Sequence, residues 1–164
     1  MHPLKTERLV LRNLTPDDFK IFKKLYTHPE TVKFSTIFQP TQHQIVFTFE
    51  TSLNSEFCWI IEVDGKSIGI IHLANILALY LAEIGYILSH KHWGQGYMTE
   101  AVRAVVDYAF NGFNFGRIRA VTMQKNLRSV SLLERCGFVR EAAIFEADYD
   151  GIIADVYYYS IIKS

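Results

Sequence analysis

The stretch Ser89-His90-Lys91-His92-Trp93-Gly94-Gln95-Gly96-Tyr97-Met98-Thr99-Glu100-Ala101 decides how the rest of the chain is read. An apolar run, Ile84-Gly85-Tyr86-Ile87-Leu88, ends just before it, and an amphipathic helical pattern begins at its second glycine. A strand that runs through a glycine-bearing turn into a helix points several backbone N–H groups outward at the first helical turn. Those donors have no partner within the helix, and the helix dipole adds partial positive charge there, so the place suits a phosphate. A side chain at Gly94 or Gly96 would hold an anion away from the backbone. The reading is a phosphate-cradling turn, with an ordinary strand–turn–helix connection as the plainer alternative. A dinucleotide fingerprint would need a third glycine where the chain has Thr99, and the full Gly-x-x-x-x-Gly-Lys-Ser/Thr loop of nucleotide triphosphatases is absent.

At 164 residues the chain is expected to form one domain, 1–164, with room for a sizeable core. Apolar residues make up nearly half of it and are evenly spread, which argues against disorder. Seventeen basic and seventeen acidic side chains cancel, so neither nucleic acid nor an anionic membrane is an expected partner. The stretch Met1 to Arg8 has no apolar core of signal-peptide length, and no run approaches membrane-spanning length. A soluble cytoplasmic protein is expected, with Cys58 and Cys136 reduced.

Along the chain, Arg8-Leu9-Val10-Leu11-Arg12 alternates as a strand does. Thr15 caps a helix that has Pro16 first, Asp17 and Asp18 in its opening turn, and Phe19, Phe22 and Leu25 or Tyr26 on its apolar face. Residues 28–40 read as irregular. Residues 41–53 read as a second helix, although Ile45-Val46-Phe47-Thr48-Phe49 would also suit a strand. Residues 57–63 and 66–73 form a hairpin around Asp64-Gly65. Leu79 to Leu88 reads as an interior strand, apolar on both faces. The following helix puts Met98, Ala101, Val102, Val105 and Ala109 on one stripe and ends near Asn111-Gly112. A strand over 117–123, a helix from about Arg128 to a Gly137 cap, and strands near 138–147 and 153–162 around Asp150-Gly151 complete a mixed α/β order.

The string from Trp93 to Ala101 resembles the pyrophosphate-binding motif of the GNAT acetyltransferase superfamily, Arg/Gln-x-x-Gly-x-Gly/Ala, with Gly96 as the central glycine. Trp93 and Met98 depart from the two outer positions. The string is similar to the Rim-type branch, which includes the ribosomal-protein N-terminal acetyltransferases, and Thr6-Glu7-Arg8-Leu9-Val10-Leu11-Arg12-Asn13-Leu14 looks like that branch's first strand. Downstream, Asn126-Leu127-Arg128-Ser129 followed by a helix and Gly137-Phe138 resembles the family's second motif. The element order also matches the GNAT acyl-CoA N-acyltransferase fold over essentially the whole chain. The resemblance therefore implies an α+β domain with a central, mostly antiparallel, splayed sheet flanked by helices.

What the resemblance implies for chemistry is acetyl transfer from acetyl-CoA to a primary amine by direct attack in a ternary complex. The diphosphate would lie on the backbone of Trp93, Gly94, Gln95, Gly96, Tyr97, Met98 and Thr99. The pantetheine would pair with the strand edge near Ile87 and Leu88 and reach Asn126. Many members place a tyrosine four residues before the glycine, where this chain has Leu133; in the Rim branch a serine, here Ser129, protonates the departing thiolate. Asn126 and Ser129 are also good helix caps, which is the competing reading. An amine must lose a proton before it attacks. Glu83 stands alone among charged residues between Lys66 and Lys91, and it matches the family's Glu-x-Gly-Tyr glutamate. Burial would raise its pKa into a useful range unless a cation pulled it back, and a structural ion pair is the alternative. Asp148 is the second candidate base.

The expected acceptor is a protein N-terminus of the ribosomal type, with a polyamine, amino acid or antibiotic as the alternative small amine. A non-catalytic acyl-CoA-binding module and a nucleotide-binding module are the readings from other classes. A monomer or homodimer is expected. His72, His90 and His92 lack the spacing and carboxylates of a metal set, and no metal is expected. Tyr157-Tyr158-Tyr159 reads as strand packing, because no basic groove accompanies it.

Overall fold

The computed structural model describes residues 3–34, 40–77, 80–149 and 152–163, with backbone alone at 75, 77, 147–149 and 152. β1 (Leu4–Lys5) pairs antiparallel with β2 (Val10–Asn13), and Leu9 and Leu11 enter the core as their alternation requires. At Thr15 the chain makes one 3-10 turn, Pro16–Asp18, and continues as α1 (Phe19–Thr27). Asp18 does more than favour the helix dipole. Its buried carboxylate accepts the Thr15 N–H at 2.7 Å and two Arg12 donors at 2.7 and 2.8 Å, tying β2 to α1.

The stretch read as irregular contains one helical turn, α2 (Pro29–Val32); residues 35–39 lie outside the described residues. Residues 41–53 are a helix, α3 (Gln42–Leu53), and not a strand. Thr41 and Gln44 cap it reciprocally, and Ile45 and Phe49, one turn apart, are buried while Phe47 is 65% exposed. β3 (Cys58–Val63) and β4 (Lys66–Leu77) form the expected hairpin, with Asp64 at φ 49° and Gly65 at φ 71° supplying its two left-handed positions.

β5 (Leu81–Leu88) lies antiparallel to β4; Leu79, its expected start, falls outside the described residues. Then come α4 (Tyr97–Gly112), β6 (Arg117–Met123), α5 (Leu127–Arg135), β7 (Val139–Tyr149) and β8 (Ile152–Ile162). The Asp150-Gly151 turn also lies outside the described residues. Among the described residues one sheet of order β1-β2-β3-β4-β5-β6-β8-β7 joins the eight strands, and β5 pairs parallel with β6.

Each face of the sheet carries its own core. The α4 stripe, Met98, Ala101, Val102, Val105 and Ala109, is buried against Trp59, Ile71, Ala82 and Ile118. On the other face Phe22 and Leu25 of α1 and Ile45 and Phe49 of α3 cover Cys58, Ile60 and Ile70. Complete burial of a side chain such as Phe22 contributes about 1.5–3 kcal/mol, which fixes the helices on the strands more firmly than their own propensities do. Tyr159 of β8 is likewise core, its hydroxyl donating to Glu134 Oε1 at 3.1 Å.

Candidate active site

β5 and β6 pair only from Leu81 to Glu83 against Arg117 to Arg119. Beyond that, β5 follows β4 as far as Leu88 while β6 follows β8 as far as Met123. The two neighbours therefore part after Glu83, and the β6-facing edge of Ile84 to Leu88 has no strand partner among the described residues. The gap opens toward the glycine turn. Ile87 and Leu88 sit on this edge, their side chains packed into opposite cores.

From Leu88 the chain passes through a 3-10 turn, His90–His92, to Trp93. Trp93 Nε1 donates to Leu88 O at 2.9 Å, which holds the indole across the start of the turn. Gly94 and Gly96 have φ of 74° and 81°, in the left-handed region that a Cβ disfavours. The open space beside Gly94 makes conformation, not crowding, its reason for being glycine. Gly96 is the N-cap of α4, and Glu100 N–H to Gly96 O, at 3.1 Å, closes the first helical bond. The N–H groups of Tyr97, Met98 and Thr99 have no acceptor among the described residues. Met98 contributes backbone alone, since its side chain is buried. Gln95 is exposed, with its side-chain amide donating back to Lys91 O.

Arg8, not singled out as a site residue from sequence, braces this turn from one side. Its guanidinium pairs with Glu100 at 2.7 Å, donates to Gln95 O at 3.0 Å and lies 4.8 Å from the Tyr97 ring centroid. Burial pushes the Glu100 carboxyl up, but bonds from the Thr6 hydroxyl and from Arg8 outweigh it and hold the group below its ordinary range.

Asn126 caps α5, its Oδ1 accepting the Ser129 N–H at 3.3 Å, so the capping role is realised. The Ser129 hydroxyl is engaged as well: Tyr86 Oη lies 2.7 Å from Ser129 Oγ. That bond joins β5 to α5. Burial raises the Tyr86 phenol above its ordinary range despite the bond to Ser129, which keeps it protonated at neutral pH. Leu133, where many members have tyrosine, is fully buried.

Glu83 accepts Nε and Nη2 of Arg119 at 3.2 and 2.8 Å, both on Oε2. Oε1 takes no hydrogen bond among the described residues. The strand's period of two puts Glu83 and Tyr86 on opposite faces of β5. On the Glu83 side lies His72, registered opposite Gly85, with its ring so close that a Cβ there would stand 2.5 Å from Nε2. Burial lowers the His72 pKa and the charge of Glu83 only partly offsets this, so a neutral imidazole neighbours the carboxylate. The backbone of Asp148 pairs with Ile153; its side chain lies outside the described residues. Among the described residues no group of three His, Cys, Asp or Glu side chains could hold a metal ion. Cys58 and Cys136 are free, and burial pushes the Cys58 thiol up to about 11, away from nucleophilic duty.

Residues 8–139 match the acetyltransferase (GNAT) domain model, and the chain belongs to that family. It is 32% identical, over 99% of its length and 97% of the relative's, to an uncharacterized N-acetyltransferase p20 of Bacillus licheniformis. A putative ribosomal N-acetyltransferase of Bacillus subtilis is 33% identical over 61% of this chain and 56% of its own. A crystal structure of spermidine N-acetyltransferase from Vibrio cholerae, in complex with CoA and spermine, superposes with a TM-score of 0.83 at 22% identity, covering 96% of each chain. The protein is thus an N-acetyltransferase whose cosubstrate is acetyl-CoA. Among the described residues no helix is long and apolar enough to cross a membrane.

Proposed function

We propose that this single domain acetylates the primary amine of a protein N-terminus, of the ribosomal-protein type, within a ternary complex. The observation that carries the site assignment is the parting of β5 and β6 after Glu83, which opens a gap onto a turn with three uncommitted helix N–H groups. The diphosphate sits on the backbone of Trp93 to Thr99. The pantetheine follows Ile87 and Leu88 past Asn126, and backbone N–H groups polarise the thioester oxygen. The acceptor enters from the Glu83 face. Glu83, through Oε1 or a water, takes the amine proton as nitrogen attacks the carbonyl carbon. As the C–S bond breaks, Ser129 gives its proton to the sulfur and Tyr86 holds the Ser129 hydroxyl in place.

Two observations favour a peptide amine. The ribosomal-type relative in Bacillus subtilis is one. The other is charge on the acceptor face: Glu83 is paired with Arg119 and Glu141 with Arg117, so among the described residues these carboxylates are already neutralised. A polycation such as a polyamine needs unpaired acidic groups. The spermidine-acetylating structure of the same fold keeps the polyamine as the second reading. Thioester loss from acetyl-CoA, followed with a panel of N-terminal peptides and of small amines, separates the two. Turnover with Ala- or Ser-initiated peptides is expected; turnover with spermidine alone would reverse the assignment, and loss with no amine at all would remove it.

A further inference from the structure

The glycine turn is short of positive charge. Residues 93–99 carry none, and Glu100 places a carboxylate in the first turn of α4, where it opposes an incoming anion. Arg8 cancels that carboxylate but is consumed in doing so: its guanidinium is bound to Glu100 and to Gln95 O. At the Trp93 end of the turn stands Arg128, delivered by the first turn of α5. Its Cζ lies 4.2 Å from the Trp93 ring centroid, and the indole is itself fixed by its bond to Leu88 O. Arg128 is exposed, and among the described residues it has no carboxylate partner and no hydrogen bond.

We propose that Arg128, held over the Trp93 ring, is a ligand for the diphosphate bridge of the acetyl-CoA bound at the turn. The inference rests on the acetyl-CoA reading of that turn and adds a residue from another element to it. A guanidinium held over the indole face by cation–π attraction uses none of its N–H donors in that contact, and its planar fork suits two phosphate oxygens. The contact also fixes the side chain before the ligand arrives, so less rotamer freedom is lost on binding. The charge absent from residues 93–99 is supplied from a helix 35 positions away by the Trp93 contact.

Calorimetric titration of CoA and of 3′-dephospho-CoA into the full chain tests this with wild type, Arg128→Gln and Arg128→Lys. Arg128→Gln is expected to weaken both ligands by about tenfold, the size of one charge-assisted bond, and Arg128→Lys by less. The affinity of Arg128→Gln should also depend less on salt than that of wild type. Thermal melts should coincide, because the side chain is exposed. Affinity for CoA within twofold of wild type in Arg128→Gln would overturn the proposal. So would a loss confined to CoA, since the charge would then serve the 3′-phosphate. Wild type that binds neither ligand would instead overturn the acetyl-CoA reading beneath it.

Discussion

Ser129 has two bonds to its name, and they set what its loss should do. Its N–H is held by Asn126 and its hydroxyl by Tyr86, so alanine at 129 removes the hydroxyl while the cap survives. Ser129→Ala should lower kcat by about a hundredfold or more with the CoA Kd within twofold. Tyr86→Phe keeps the ring and frees the serine rotamer, so a smaller fall in kcat, again without a change in Kd, is expected. Equal loss of CoA affinity in both would make the pair a binding element. For Glu83→Gln the amide keeps the shape but cannot take a proton; kcat should fall about a hundredfold or more at neutral pH, read from steady-state rates across pH. A wild-type rate across that range would dismiss Glu83 as base. Both candidates were named from sequence, Glu83 as a lone charge in an apolar strand and Ser129 through the resemblance to the family's second motif. Their partners were not. Neither Tyr86 nor Arg119 was singled out from sequence, because the bonds to Ser129 and Glu83 span 43 and 36 positions.

At the scale of elements, local chemistry wrote most of the boundaries. Asp64-Gly65 fixed a hairpin, Thr41 with Gln44 fixed a helix start, and Gly137 at φ 87° ended α5. β1 and α2 were not legible, since two residues and one turn carry no periodicity. The acid limit of stability belongs here. Burial raises the Asp18 carboxyl and bonds from Arg12 and Thr15 more than reverse it, leaving its folded pKa below the unfolded value. His72 is also lowered, by burial. Both groups bind a proton less readily folded than unfolded, so each stabilises the fold above its unfolded pKa and ceases to as pH falls. The urea midpoint should therefore be level near pH 7 to 8, decline below about 6.5 as His72 is asked to protonate, and decline again in the carboxylate range near 4. A midpoint that climbed between pH 7 and 5 would contradict this.

For the molecule as a whole, the decisive feature is a sheet that is continuous on either side of one partial seam. β5 and β6 share three registered residues and then separate, which leaves Glu83 on one face and the Tyr86–Ser129 pair on the other. Amphipathic patterns assign strands but not their neighbours, so the parallel pairing across α4 was not read from periodicity, and the family resemblance implied only a mostly antiparallel, splayed sheet. The glycine turn, by contrast, was legible locally, as two left-handed glycines leading into a helix start. Its test is titration of acetyl-CoA into the full chain, wild type beside Gly96→Val. One site with a Kd between about 1 μM and 1 mM is predicted for wild type, with loss of at least tenfold in the variant, whose side chain would strain φ 81° and meet the Arg8 guanidinium. No uptake by wild type at millimolar acetyl-CoA, or equal uptake by Gly96→Val, would contradict a diphosphate held by the backbone of this turn.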